Sequence, residues 1–106
     1  MKISKKTAKS IANSIIKISG HDIFVKGREP RKVMARSFFC KILSKKYGLC
    51  NTEISQVFLD NGFKYDRTTI HYCIERYSDY LKNDFFMKDM TSSYYGGVPT
   101  RKANGK

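Results

Sequence analysis

The sequence predicts an all-α fold, a compact helical domain, and two observations carry that expectation. Apolar residues recur three and four positions apart in four separate segments, the spacing that places them on one face of a helix. Residues suited to helix ends punctuate the same segments: Ser4 and Gly20, Pro30 and Gly48, Thr52 and Asn61-Gly62, then Asp66. A chain of 106 residues has room for one domain with one modest core.

Ser4 to Ser19 reads as the first helix. Ala8, Ile11, Ala12, Ile15 and Ile18 form its stripe, with Ser4 capping the start and Gly20 closing the end. Lys5, Lys6, Lys9 and Lys17 fall mostly off that stripe. A basic amphipathic helix can lie on a membrane, but this apolar face has no aromatic anchor, so packing into a core is the expected use. Ile23, Phe24 and Val25 follow as a short apolar connector available to plug the core. Gly27 and Pro30 then mark Lys26 to Lys32 as a loop, and its four basic residues make it a candidate phosphate-contacting arm.

The second helix starts near Pro30 and runs to about Tyr47, with Gly48 as its stop. Val33, Ala35, Phe38, Phe39, Ile42 and Leu43 give it the broad apolar face of a central helix. Arg31, Lys32, Arg36, Lys41, Lys45 and Lys46 take the remainder. Phe38 and Phe39 are read as core and not as a platform for stacked bases. Thr52 is placed as the cap of a third helix, Glu53 to about Asp60, with Ile54, Val57, Phe58 and Leu59 inward.

Asp66 caps a fourth helix in which Ile70, Cys73, Ile74, Tyr77 and Leu81 share one face. Arg67, Thr68, His71, Glu75 and Arg76 are left outside. A helix, a Gly-containing turn and a polar-started helix form the pattern of a helix-turn-helix, here with an unusually long turn. Residues 83–87 either prolong the last helix or fold back on the core. The domain is expected to span 1–90, and 91–106, with Arg101, Lys102 and Lys106, is expected to be a flexible basic tail.

Charge narrows the partners. Twenty-one Lys and Arg against nine Asp and Glu give a formal charge of +12, which favours a polyanion: nucleic acid or an acidic membrane surface. No apolar run approaches the ~20 residues that span a bilayer. Lysines at 2, 5, 6, 9 and 17 interrupt any signal-peptide core, so a cytoplasmic, nucleoid-associated protein is expected. Cys40, Cys50 and Cys73 are odd in number, widely spaced and in no CxxC pair, which predicts neither a disulfide framework nor a metal site. No cofactor is expected. Glu53, Asp60, Asp66, Glu75 and Asp79 show no nuclease-like clustering, and His71 near Asp66 is not a nucleophile arrangement, so no catalysis is expected.

The candidate base-reading residues are Asp66, Arg67, Thr68 and Thr69, at the end of a recognition helix that meets base edges in a major groove. Arg28, Arg31, Lys32, Arg36, Lys45, Lys46 and Arg76 are the candidates for the DNA backbone or minor groove. Single-strand RNA reading has little support, because the aromatic-rich motif of such readers is missing.

Three segments resemble the DNA-binding domain of DnaA, the bacterial replication initiator. They are Asp22-Ile23 with the basic loop through Arg28; Ala35-Arg36 with the apolar helix ending in Leu43; and Leu49-x-x-x-Glu53-Ile54-x-x-x-Phe58 followed by Asp66-Arg67-Thr68-Thr69-Ile70. The family carries Asp-His-Thr-Thr-Val at the last position, and the resemblance covers residues 7–82. It implies a Trp-repressor-like helix-turn-helix and double-stranded DNA as ligand, read at a short specific box. Asp66 to Thr69 would face the major groove, and the basic loop would reach phosphates and the neighbouring minor groove.

The sequence also departs from the family. Arg67 replaces the family His and suits a guanine O6/N7 contact. The family's minor-groove Arg aligns with Met34, leaving that reading to Arg28 or Arg31. Leu59 to Tyr65 stands where the family has a short Gly-Gly-Arg link, and the family's later His falls at Tyr72. With no GxxxxGK[ST] phosphate loop, the resemblance implies a free-standing reading head and not an ATP-driven initiator. The expected function is sequence-specific binding of double-stranded DNA in bacterial or phage replication or transcription. The alternative is an interaction module for a replication protein that binds DNA only non-specifically.

Overall fold

Five helices occupy the described residues, 3–96, of the computed structural model: α1 (Lys5–Ser19), α2 (Pro30–Lys45), α3 (Asn51–Asp60), α4 (Arg67–Asn83) and α5 (Phe85–Gly96). No strand occurs among those residues. A Cα radius of gyration of 13.3 Å is that of one compact domain of this length. The all-α expectation is therefore met.

Helix α2 is the axis of the molecule, packing against each of the other four helices and most extensively against α4. Its buried residues run from Lys32 through Met34–Cys40 to Ile42 and Leu43, on every side of the helix. Such all-round burial is expected of a helix at the centre of a core. Ser37 lets α4 approach closely: its hydroxyl is fully buried and donates to the carbonyl of Cys73. On either side of that contact Phe38 stacks on Tyr77, ring centres 6.0 Å apart, and Phe39 meets Phe58 edge-on at 5.5 Å.

Helix α1 begins as its sequence dictates. The Ser4 hydroxyl accepts from the Thr7 N–H at 3.1 Å, and Gly20, at φ 76°, ends the helix by donating to the Ile16 carbonyl. Ala8, Ile11, Ala12 and Ile15 are buried, but Ile18 is not on the inner stripe. It lies exposed beside Phe85, because the chain turns away to Ile23 before the last helical turn reaches the core. Of the connector residues Ile23 is fully buried and Phe24 lies edge-on to Phe39 and Phe58, whereas Val25 is half exposed.

Two helix ends depart from expectation. Helix α3 starts two residues early, with Cys50 and not Thr52 as its N-cap. The Glu53 carboxylate reaches back to accept from the Cys50 N–H at 2.9 Å, so the acid three residues on supplies the cap that Thr52 was expected to give. Helix α2 stops at Lys45, and the chain through Tyr47 reaches Gly48 at φ 69° before Leu49 donates back to the Leu43 carbonyl.

The long turn before α4 is ordered by a Schellman closure. Gly62, at φ 84°, donates to the Leu59 carbonyl and Phe63 donates to the Phe58 carbonyl, while the Phe63 ring packs on Phe58 at 6.0 Å. Tyr65 follows, packed 4.7 Å from Phe58 and 5.3 Å from Phe63. The Ser55 hydroxyl donates to the Tyr65 carbonyl at 2.6 Å. Aromatic packing thus fixes the angle at which the chain enters α4.

The expected tail is corrected for Thr91 to Gly96, which are the last turns of α5. Asp84 starts that helix by accepting from the Phe86 N–H at 2.8 Å, and the chain folds back across α1, α2 and α4. Met87 and Met90 are fully buried, Tyr94 meets Phe38 edge-on at 5.3 Å, and Tyr77 and Thr91 share a hydrogen bond at 3.3 Å. The domain therefore extends beyond residue 90. Arg101, Lys102 and Lys106 lie outside the described residues.

Candidate nucleic-acid interface

The first turn of α4 stands at the surface. Asp66 caps it, its carboxylate accepting from the Thr68 N–H at 3.0 Å, and Arg67, Thr68, Thr69, His71 and Tyr72 are all exposed. Removing the cap in Asp66→Ala is expected to lower stability by about 0.5–2 kcal/mol, read as a reduced urea midpoint with unchanged slope. Faster hydrogen exchange at Thr68 should accompany it. An unaltered midpoint would refute the capping role.

Two clefts flank this turn. On one side Asn51 and Thr52, at the start of α3, join Arg67, Thr68 and His71 around an open cleft of about 330 Å³. On the other, Lys26, Gly27 and Arg28 of the basic loop face Thr69, Tyr72 and Arg76 across a cavity of about 470 Å³. The two sets divide by helical geometry: residues 68 and 71 share one side of α4, and 69, 72 and 76 share the next. The four expected base readers are thus split. Arg67 and Thr68 face the start of α3, Thr69 faces the basic loop, and Asp66 is engaged as the cap.

Among the expected backbone contacts, Arg36 is corrected. It is buried, with Nε donating to the Ile23 carbonyl at 2.9 Å, Nη1 to Gly27 at 3.0 Å and Nη2 to Val25. Its guanidinium also lies 4.6 Å from the Phe63 ring centre and 5.5 Å from that of Tyr65. This one side chain ties the basic loop to the turn that enters α4, and it has no free face for a phosphate.

Lys32 is corrected likewise. Its side chain is buried, with Nζ 3.7 Å from the Glu29 carboxylate and 3.4 Å from the Lys26 carbonyl. Glu29 in turn is held below the usual carboxylate range by its backbone hydrogen bond and by Lys32.

The remaining candidates are exposed but dispersed. Arg28 and Arg76 line the cavity beside α4. Lys45 and Lys46 project at the end of α2, a short turn ahead of Asn51. Arg31 lies over the Phe86 ring at 5.0 Å, in a cleft beside α5 and not in either cleft flanking α4. Met34, where the family's minor-groove Arg would align, is buried. The lysines of α1 belong elsewhere again, Lys9 donating to Asn61 at 3.0 Å and Lys5 standing 3.9 Å from Asp60.

Asn51, Thr52 and Tyr72 also line the two clefts and are not among the expected site residues, whereas Lys26 belongs to the basic loop expected to contact phosphates. As a cap, the role its place in the sequence predicts, Thr52 would have its hydroxyl occupied. The capping acid Glu53, three residues after Cys50, was the available signal that the helix starts earlier.

Beneath the cavity the Tyr65 hydroxyl lies 3.1 Å from the Cys73 sulfur. The Cys40 thiol, then the Tyr65 hydroxyl and the charges of Arg36 and Arg76, draw the Cys73 thiol down to about 7 against its burial. Burial, aided by Cys73, pushes the Cys40 thiol and the Tyr65 hydroxyl up. Any thiolate in this cluster therefore sits on Cys73, beneath the cations of the cavity. Among the described residues no group of His, Cys, Asp or Glu is placed to hold a metal ion, and no helix is long and apolar enough to cross a membrane.

Comparison of the chain with protein-family models, with curated proteins and with solved structures found no match.

Proposed function

We propose that this protein binds double-stranded DNA sequence-specifically, using α3 and α4 as a helix-turn-helix of the kind its sequence resembles in the DnaA DNA-binding domain. One observation carries the reading. The capped, exposed first turn of α4 presents Arg67 and Thr68 beside the start of α3, and the basic loop flanks its other side. In this arrangement the first turn of α4 enters the major groove, while Lys45, Lys46 and Asn51 meet the backbone on one side and Lys26, Arg28 and Arg76 on the other. A charge of +12 suits that polyanion. A nucleoid role in replication or transcription follows from the same reading.

Selection of bound sequences from random duplex DNA at two salt concentrations tests it. A recovered motif is the expected result. Binding that disappears above low salt, with no motif at either concentration, would overturn it in favour of an interaction module. Arg28→Ala should then weaken every duplex alike, recovered or random, and reduce the slope of log K against log salt by about 0.9. A loss confined to the recovered motif would instead make Arg28 a base reader.

A further inference from the structure

The cavity between the basic loop and α4 carries a feature that DNA binding does not use. Its floor is mainly apolar and aromatic, built from Val33, Phe63, Tyr65 and Cys73 with the Arg36 guanidinium lying against the two rings, and its rim is cationic, with Arg28 and Arg76. Among the described residues no Asp or Glu lines it, and neither arginine has an acidic partner. A duplex passing over the rim would supply phosphates to the arginines and leave the floor to water. At about 470 Å³ the cavity falls within the range of small-molecule sites, which are typically apolar with a few convergent polar groups.

We propose that this cavity binds a small, flat aromatic carboxylate, its ring on the Val33–Phe63–Tyr65 floor and its carboxylate between Arg28 and Arg76. The planar guanidinium forks suit a carboxylate, and aromatic walls favour a ring set edge-on or offset over a flexible chain. The Tyr65 hydroxyl is already engaged by Cys73, and the Arg36 guanidinium against the rings donates to the carbonyls of Ile23, Val25 and Gly27.

Binding at the cavity stands apart from DNA recognition. A consequence that rests on the DNA reading is that the ligand occupies Arg28 and Arg76 and so competes with the duplex. The carboxylate would then act as a releasing effector.

The test is an NMR titration of the whole chain with 2-naphthoate, without DNA, with neutral 2-naphthamide as control. Saturable shifts are expected at the amides of Gly27, Thr69, Tyr72 and Cys73 at or below roughly millimolar concentration. Naphthamide should bind more weakly, and Arg76→Gln, an exposed change that leaves the core intact, should weaken naphthoate about tenfold. Val33→Trp, checked for an unchanged helical spectrum, should abolish binding by filling the floor.

Shifts that never saturate, shifts centred on the Ile18–Phe85 cleft, or equal binding of naphthamide and naphthoate would each overturn the proposal. A separate competition on the selected duplex then reads the effector role. Naphthoate binding with no recovered duplex would fail the DNA reading and leave the ligand site standing.

Discussion

Arg36→Ala is expected to destabilise the protein by about 3–5 kcal/mol, because it strands one buried and two part-buried backbone carbonyls at once and removes a large buried side chain. The guanidinium serves Ile23, Val25 and Gly27 on the loop side and lies over Phe63 and Tyr65 on the α4 side. The arginine stem also leaves a void among the aromatic rings. For a domain of this size the melting temperature should fall by roughly 15 °C or more. Hydrogen exchange should rise first across Lys26 to Glu29 and at Tyr65, the two segments the side chain joins. Arg36→Lys should recover only part of the loss, since one ammonium cannot span donors that the rigid fork delivers to three carbonyls. A loss under about 1 kcal/mol would show that the loop and turn hold their places without Arg36.

Arg67→Ala should lower affinity for the selected duplex by about 1–3 kcal/mol, roughly tenfold to a hundredfold, and affinity for random DNA much less. The exposed side chain begins the capped turn and shares its cleft with Asn51, Thr52 and His71. A bidentate contact to guanine O6 and N7 from that position carries sequence information; a phosphate contact does not. Equal losses on both duplexes would therefore remove Arg67 from the readers. Arg67→His is the sharper companion, because it introduces the residue that the resembled family carries at this position. It should change the motif recovered by selection while leaving the unfolding midpoint in place.

Much of the architecture was legible because helical periodicity and capping are local. Ser4, Gly20 and Asp66 act through their own hydrogen bonds to the next or previous turn, and the sequence order alone identifies them. The misread ends were also local, but two residue types competed for them. At α3 the paired Glu53 outweighed the hydroxyl of Thr52. The stretch after Leu81 was ambiguous for a different reason. Met87, Met90 and Tyr94 do not form a wide apolar stripe by themselves, and α5 is held by the surface that α1, α2 and α4 already present.

Composition, helical spacing and the Asp66-Arg67-Thr68-Thr69 stretch determined by themselves an all-α chain with a strongly basic character and a polar helix start. The tertiary structure decided which basic residues are available. Arg36 and Lys32 look like their exposed neighbours in sequence, since a cation on a helix reads as solvated until its surroundings are known. Only the fold brings the carbonyls of residues 23–27 and the rings of Phe63 and Tyr65 around Arg36, groups distant in sequence from it and from one another. The same folding leaves Arg28 and Arg76 unpaired across an apolar floor. Burial and pairing are properties of long-range contacts, and for that reason the distinction between structural and available cations had to come from the structure.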